Sequence, residues 1–369
     1  MKKLFKDFIE LHRGYDLPKS KRVQGKYPII SSTRIDGNNK DYKVKGPGVI
    51  TGRSGTIGKV IFEEKNFWPL NTTLFVSDFK GNDPKYVYYW LQAFDLKHYK
   101  TGSNIPTLNR NDLANLTIDI PNIEEQKKRR EILDNIDSKI ANNNAISKEL
   151  ESMAKTIYDY WFLQFEFPDK GGKPYKSNGG KMVWNDQLKQ AIPEGWEVST
   201  IKNILGDYPR TKTIESKEYG LGTLYPIIDQ SKDTYICGYT NDKEKVLNLT
   251  DAIVFGDHSN KSKYVNFPFA RGADGTQILN SNNPKLPNYL LYQEIISLPE
   301  IEKGYSRHFK FLKAQNVTIP TLDTAKDYIN IVSNMLLQHR EIIKENQQLQ
   351  SLRDFLLPML MNGQVTFDN

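Results

Sequence analysis

This chain says nearly the same thing twice, and that duplication limits its possible folds more than any other feature. Tyr27-Pro-Ile-Ile30 returns as Tyr225-Pro-Ile-Ile228, and Leu116-Thr-Ile-Asp-Ile-Pro121 returns as Val317-Thr-Ile-Pro320. The offsets are 198 (27 to 225) and 199 (121 to 320). Solenoid repeats recur every 20–50 residues or so, so a period this long marks a duplicated domain instead. Inside each copy, short β-branched runs flank a polar turn, from Val49 to Val60 and from Ile253 to Val265. After each proline comes a polar segment with helical apolar spacing. The predicted class is α+β: two globular mixed α/β units in tandem repeat, separated by two long helices paired as an antiparallel coiled coil. The expected bounds are 1–121 and 195–320 for the units, 122–167 and 321–363 for the helices, and 168–194 for a connector.

The helix expectation rests on heptads. Leu133, Ile136, Ile140, Asn143, Ser147, Leu150, Ala154, Ile157 and Trp161 alternate spacings of three and four. Glu124 and Glu125 follow Pro121 and suit the first turn of a helix. The second seam is expected at Ile331, Met335, Gln338, Ile342, Glu345, Leu349, Leu352, Leu356 and Met359, with Pro358 near the helix end. Both seams are polar at mid-length, and antiparallel pairing would bring the two polar centres together. Gly171, Gly172, Gly179 and Gly180 mark the stretch between the modules as the connector.

The stretch GVITGRSGTIGKV, residues 48–60, resembles a phosphate cradle but fails its rules. A P-loop needs glycine five positions before its Gly-Lys and a hydroxyl residue after the lysine. Here those positions hold Arg53 and Val60. What remains is strand, turn, strand, with Arg53, Ser54, Thr56 and Lys59 presented from the turn. That set suits any polyanion, although an ordinary solvated hairpin reads the same way.

The bulk numbers point the same way. The chain has 369 residues, room for two or more domains, and a net charge of +7 that favours an acidic partner. Cys237 is the lone cysteine, so a reducing intracellular compartment is expected. Lys6, Asp7 and Glu10 break up the opening stretch, which does not read as a signal peptide, and no apolar run is long enough for a membrane span. The five histidines share no metal-ligand spacing. There is no Pro-Pro for an adenine methyltransferase tetrapeptide, and a nuclease triplet at Asp207 and Glu215-Ser216-Lys217 is what chance supplies in a chain rich in Glu and Lys. The expectation is a chain that binds and measures distance without reacting. An autonomous enzyme and a coiled-coil scaffold without nucleic acid are the competing classes.

Several phrases in fixed order carry a family resemblance: Ile105-Pro-Thr-Leu-Asn109, Pro121 with Glu125-Gln126, Trp161-Phe162, Gly179-Gly180-Lys181-Met182-Val183-Trp184, and Ile192-Pro-Glu-Gly-Trp196. Together with the repeat they resemble the specificity subunit of type I restriction-modification systems, across essentially the whole chain. The resemblance implies a non-catalytic DNA-recognition subunit in the cytoplasm of a bacterium or archaeon. It implies two target-recognition domains, each reading one half of a split, asymmetric target. The helix pair would set the gap and dock two modification subunits. The implied partners are double-stranded DNA, those modification subunits and, in complete systems, restriction subunits. No cofactor is expected in this chain; S-adenosylmethionine, ATP and Mg would belong to the partners. A methyltransferase-only or type IIB-like complex is the alternative setting. Three departures stand out, one being that the second unit has Gly256-Asp-His-Ser-Asn-Lys-Ser-Lys263 in place of the Gly-rich Ser-Gly-Thr-Ile-Gly loop. The first unit lacks the Pro-Glu-Gly-Trp lead, so a few residues seen in relatives are expected to be missing before it. The second helix follows Pro320 with Thr321-Leu322-Asp323 and has no Glu-Glu-Gln.

By motif position the resemblance assigns DNA contacts. In the first unit these are Ser31, Ser32, Thr33, Arg34, Arg53, Ser54, Thr56, Lys59, Asn71, Thr72, Thr73, Lys100, Ser103 and Asn104. In the second they are Gln230, Ser231, Lys232, His258, Ser259, Asn260, Lys261, Arg271, Asp274, Gln277, Arg307 and His308. Arg53 is expected as a guanine reader or phosphate clamp, and Asp274 as a cytosine acceptor or turn cap.

Overall fold

The computed structural model describes residues 1–101, 106–208, 211–232, 234–273, 275–299 and 307–365. Two compact units emerge: Met1–Ala141 with Gln348–Asn369, and Asn142–Gln347. Both boundaries between them fall inside the long helices.

The β-branched runs pair as their alternation demands. In the first unit, Glu10–Arg13, Thr73–Asp78, Gly48–Gly52 and Val60–Glu63 form a sheet in that order, and Ile35–Asn39, Tyr27–Ile30 and Trp68–Pro69 form another. In the second unit, Ser262–Val265, Ala252–Gly256 and Thr276–Leu279 form one sheet, and Gly238–Thr240, Tyr225–Ile228, Phe269–Arg271 and Val246–Leu247 the other. The repeated Tyr-Pro-Ile-Ile strand plays the same part in both copies. It pairs antiparallel on one side and parallel on the other, with Ile29 beside Trp68 and Ile227 beside Ala270. Each copy also closes its first strand on its last: Lys2–Leu4 on Thr117–Asp119, and Glu197–Thr200 on Asn316–Ile319. The duplication seen in the sequence is thus a duplication of topology.

The long helices span Ile123–Tyr158 and Leu322–Met361, and the first continues into a wide turn at Asp159–Leu163. The Asn122 side chain accepts the Glu125 N–H at 2.9 Å, capping the first helix. Its predicted seam is the one buried: Leu133, Asn143 and Ala154 are each at most 1% exposed. The pairing is antiparallel within each unit. In the first, Arg129 donates to the Leu360 carbonyl at 2.7 Å and Arg353 to Asp137 at 3.2 Å. In the second, Asn143 donates to Asn346 at 2.9 Å, His339 meets Glu151 at 3.0 Å, and the Tyr328 hydroxyl donates to the Ala154 carbonyl at 3.2 Å.

The second seam corrects the expectation by one position at alternate sites. Met335, Ile342, Leu349 and Leu356 lie in it, but Ile331 and Leu352 are each 44% exposed. Val332, His339, Asn346, Arg353 and Leu360 occupy the places expected for Ile331, Gln338, Glu345, Leu352 and Met359. Polar partners on the first helix (Glu151, Asn143 and Asp137) satisfy the polar ones, so hydrophobicity alone picked the wrong phase.

Each unit anchors its share of the helices in an aromatic core. In the first, Leu133, Leu360 and Met361 pack with Phe5, Phe8, Tyr86 and Trp90. The Tyr89 hydroxyl bridges Asp134 at 2.9 Å and Asp137 at 2.8 Å on the helix. In the second, Tyr158, Trp161, Phe162 and Tyr328 pack with Trp196. The stretch 168–194 is not bare linker: Met182–Asn185 and Gln190–Pro193 form a hairpin, and Tyr175 stacks on Phe167 at 4.6 Å.

Candidate nucleic-acid interface

In the first unit the sheets bring four separate loops to one place. The strand Gly48–Gly52 ends in the turn that carries Arg53, Ser54, Thr56 and Lys59. Two glycines make that turn possible. A Cβ on Gly52 would lie 1.8 Å from the Thr56 carbonyl oxygen, and Gly58 has φ +92°. The backbone N–H groups of Arg53 and Ser54 donate to the Thr72 carbonyl at 2.8 and 3.2 Å. The Arg53 Nε donates to the Asn71 carbonyl at 3.0 Å, so the guanidinium is steered from its base. Gly55 N–H donates to Pro106 O at 3.0 Å, and Leu108 N–H to Arg53 O at 2.8 Å. Lys100 pairs with Leu108 and is exposed. Leu70 N–H donates to Ile30 O at 2.9 Å, which brings the Ser31–Arg34 turn alongside. That turn is closed by the Ser31 hydroxyl on the Arg34 carbonyl at 2.8 Å, leaving the Arg34 side chain exposed. The Asn71 side chain is held by Asp16.

Thr73 does not join this surface. It is fully buried, and its hydroxyl donates to the Leu70 carbonyl at 2.8 Å to hold the turn from below. Asn71 and Thr72, in the turn just before the strand Thr73–Asp78, are half-buried. Ser103 and Asn104 lie outside the described residues.

The second unit assembles its loops around a residue absent from the expected set, Asp257. This aspartate is 6% exposed. Its N–H donates to Gly275 O at 2.8 Å, its carbonyl accepts from His308 N–H at 2.9 Å, and its Oδ1 accepts from Phe309 N–H at 2.8 Å. The Gln230 side-chain oxygen accepts from His258 N–H at 3.1 Å. The chain segments carrying Gln230, His258, Gly275 and Arg307 therefore meet, with His258, Lys261, Lys232 and Arg307 exposed. Ser231 is tethered through its N–H to Asp229 at 2.8 Å. Asn260 takes a left-handed φ of +53° at the turn, and Gln277 is half-buried on the adjoining strand.

Three residues of the expected set in this unit are engaged within the protein. His308 is 7% exposed, so its ring belongs to the packing beneath the loops. The Ser259 hydroxyl is buried against Gly256, where a Cβ would lie 2.1 Å from it. Arg271 donates to the carbonyls of Thr211 at 3.0 Å and Thr276 at 3.3 Å and holds backbone together. Asp274 lies outside the described residues. Asp257 escaped sequence reading because Asp in a Gly-Asp-His turn looks like ordinary turn chemistry.

Both assemblies are surfaces of convergent loops with exposed cationic side chains. Such surfaces suit a polyanion whose backbone is gripped while specific groups are read. Among the described residues there is no cluster of His, Cys, Asp and Glu fit to hold a metal ion, and no helix is long and apolar enough to cross a membrane.

Comparison with known proteins shows what this chain is similar to. Residues 1–152 match the family described as the type I restriction modification DNA specificity domain. The MjaIX type I restriction enzyme specificity subunit of Methanocaldococcus jannaschii is 27% identical over 360 residues, covering 87% of this chain and 78% of its own. The MjaX specificity subunit from the same organism, a putative type I enzyme component, is 26% identical, covering 98% of this chain and 92% of its own. A crystal structure of a type I restriction-modification S subunit from M. genitalium shares the fold, with a TM-score of 0.57 at 18% identity over 98% of this chain and 95% of that one.

Proposed function

We propose, from the premise that this chain is a relative of the type I restriction-modification specificity subunits and carries their DNA specificity domain over residues 1–152, that it is the DNA sequence-recognition subunit of such a complex. Each globular unit reads one half of a bipartite, asymmetric target. The paired helices act as a spacer and dock two modification subunits, which hold S-adenosylmethionine and methylate adenine. Restriction subunits, in systems that have them, supply ATP-driven translocation and Mg-dependent cutting. This chain contributes recognition and no catalysis.

One observation carries the reading: in both copies of the module, loops far apart in sequence meet at the same end of equivalent sheets, yet with different residues. A conserved scaffold with divergent loops is what two heads for two different half-sites require. The first helix supports the spacer role, since 36 helical residues at about 1.5 Å each run for roughly 54 Å. The exposed Lys59, Lys100, Lys232 and Lys261 are phosphate grips, and Arg53 reads or clamps in the first half-site.

The test is binding of a duplex target by the chain assembled with its modification subunits. Log affinity should fall linearly with log salt as counterions are released. Arg53→Ala should weaken one half-site only, by roughly 5- to 150-fold if the contact is a bidentate guanine pair worth about 1–3 kcal/mol. A salt-independent affinity, or equal loss at both half-sites, contradicts the proposal. Methyl transfer by this chain alone contradicts its non-catalytic role.

A further inference from the structure

We propose that Lys263 is a positioning residue for sequence reading by the second unit, holding the loop that carries Gln230, Ser231 and Lys232 through a buried ammonium. The inference rests on the reading of the two units as separate heads and goes beyond it by assigning one head a device that the other lacks.

The starting point is a mismatch between the copies. In the first unit Ile50 pairs with Ile61 across the hairpin, and Ile61 packs on an apolar cluster of Ile30, Ile50, Phe67 and Phe75. The equivalent hairpin in the second unit pairs Val254 with Lys263. A lysine thus stands where the sister unit has isoleucine, and it is only 9% exposed. Burying an ammonium is costly unless it is hydrogen-bonded. Lys263 Nζ donates to the carbonyls of Asp229 at 2.8 Å, Thr234 at 2.6 Å and Tyr235 at 3.4 Å. Its three protons are therefore directed at backbone that brackets Gln230–Lys232.

The counter-charge is local. Asp229 Oδ1 lies 3.9 Å from Nζ. The same carboxylate accepts from Ser231 N–H at 2.8 Å, from the Cys237 thiol at 2.7 Å and from the Tyr219 hydroxyl at 3.0 Å. The first unit has Ser31 at the position after its Tyr-Pro-Ile-Ile strand, where the second has Asp229. Lysine and aspartate thus occur together in one copy and are both absent from the other. A stable fold at this position needs only the isoleucine arrangement of the first unit. The buried pair instead sets the path of residues 229–232 and of Thr234 and Tyr235, and through it where Gln230 meets the His258 backbone.

The test compares the wild type with Lys263→Met, which keeps the aliphatic stem, each assembled with modification subunits. Binding is measured to the full target, to targets scrambled in one half-site, and to unrelated duplex. The half-site of the second unit is the one whose discrimination survives Arg53→Ala. Lys263→Met should lower discrimination at that half-site at least tenfold. It should leave the other half-site unchanged, and should move the affinity for unrelated DNA and the slope against log salt by no more than the one phosphate grip, Lys232, that the loop carries. Unchanged discrimination, or an equal loss at both half-sites, overturns the proposal. Should Lys263→Met fail to fold, Lys263→Gln keeps an N–H donor without the charge and should show an intermediate loss confined to the same half-site; full wild-type discrimination by Lys263→Gln overturns the need for the ammonium. If wild-type protein reads no half-site independently of Arg53, the two-head reading fails, and that outcome is distinct from failure of the lysine's role.

Discussion

Asn143 offers the sharpest test of how the helices are held in register. It sits in the seam of the second unit at 1% exposure, donating through Nδ2 to Glu345 at 2.7 Å and to Asn346 at 2.9 Å. Asn346, itself 8% exposed, donates onward to Asn144 at 2.9 Å. Replacing Asn143 with alanine strands the Asn346 acceptor, at a cost of about 1–3 kcal/mol, while the half-buried Glu345 regains water and loses about 0.5–1 kcal/mol. Alanine recovers roughly 0.6 kcal/mol in helix propensity. The balance is a loss of about 1–3 kcal/mol. The second unit spans residues 142 to 347, that is 206 residues, and for this size each kcal/mol moves a melting temperature by about 2–4 °C. Calorimetry should therefore show the second unit's transition falling by roughly 2–12 °C in Asn143→Ala. Asn142→Ala, one residue away on the exposed face, should change it by less than about 2 °C. A double-mutant cycle between Asn143 and Asn346 should give a coupling above about 0.5 kcal/mol. If Asn143→Ala and Asn142→Ala melt alike, the polar centre does not lock the pair.

Three further outcomes follow from particular contacts. Burial raises the Glu294 carboxyl from 4.5 to about 7, against a hydroxyl donated by Thr318 at 2.9 Å. Because the folded state holds this proton more tightly, its stabilisation is complete below about pH 4.5 and lost as pH rises towards 7; the second unit's melting temperature should carry that slope, and Glu294→Gln should flatten it. Leu133→Ala empties a fully buried position in the first unit's core and should cost about 2–5 kcal/mol by urea denaturation, whereas Ile146→Ala, at 48% exposure, should cost under about 1 kcal/mol. Gly52→Ala would set a methyl 1.8 Å from the Thr56 carbonyl; it should abolish reading of the half-site that depends on Arg53 while the other half-site is still recognised in footprinting.

Topology was legible in the chain because duplication repeats strand order along with residues. Tyr-Pro-Ile-Ile marks the same strand in both sheets, and the first helix's heptads mark the face that is buried. The second helix was harder. Ile331 and Leu352 drew the seam to themselves, but His339, Asn346 and Arg353 fill it, each matched by a polar side chain on the first helix. A seam chosen by partner chemistry cannot be read from one strand of the pair. The same limit applies at the loops. Thr73 and His308 lie next to polar residues in sequence yet are buried, because a strand buried on both faces and the first turn of a short helix place them there. Asp257 and Lys263 act through backbone carbonyls and N–H groups of loops that only the fold brings close, and no spacing announces them.

The most direct measurement of the two-head account is methylation sequencing of DNA modified by the complete complex, with wild-type chain and with Arg53→Ala. The account predicts a split motif, two specific blocks with unspecified bases between them, in which Arg53→Ala relaxes one block and leaves the other and the gap untouched. A single continuous motif, or relaxation of both blocks together, would contradict it.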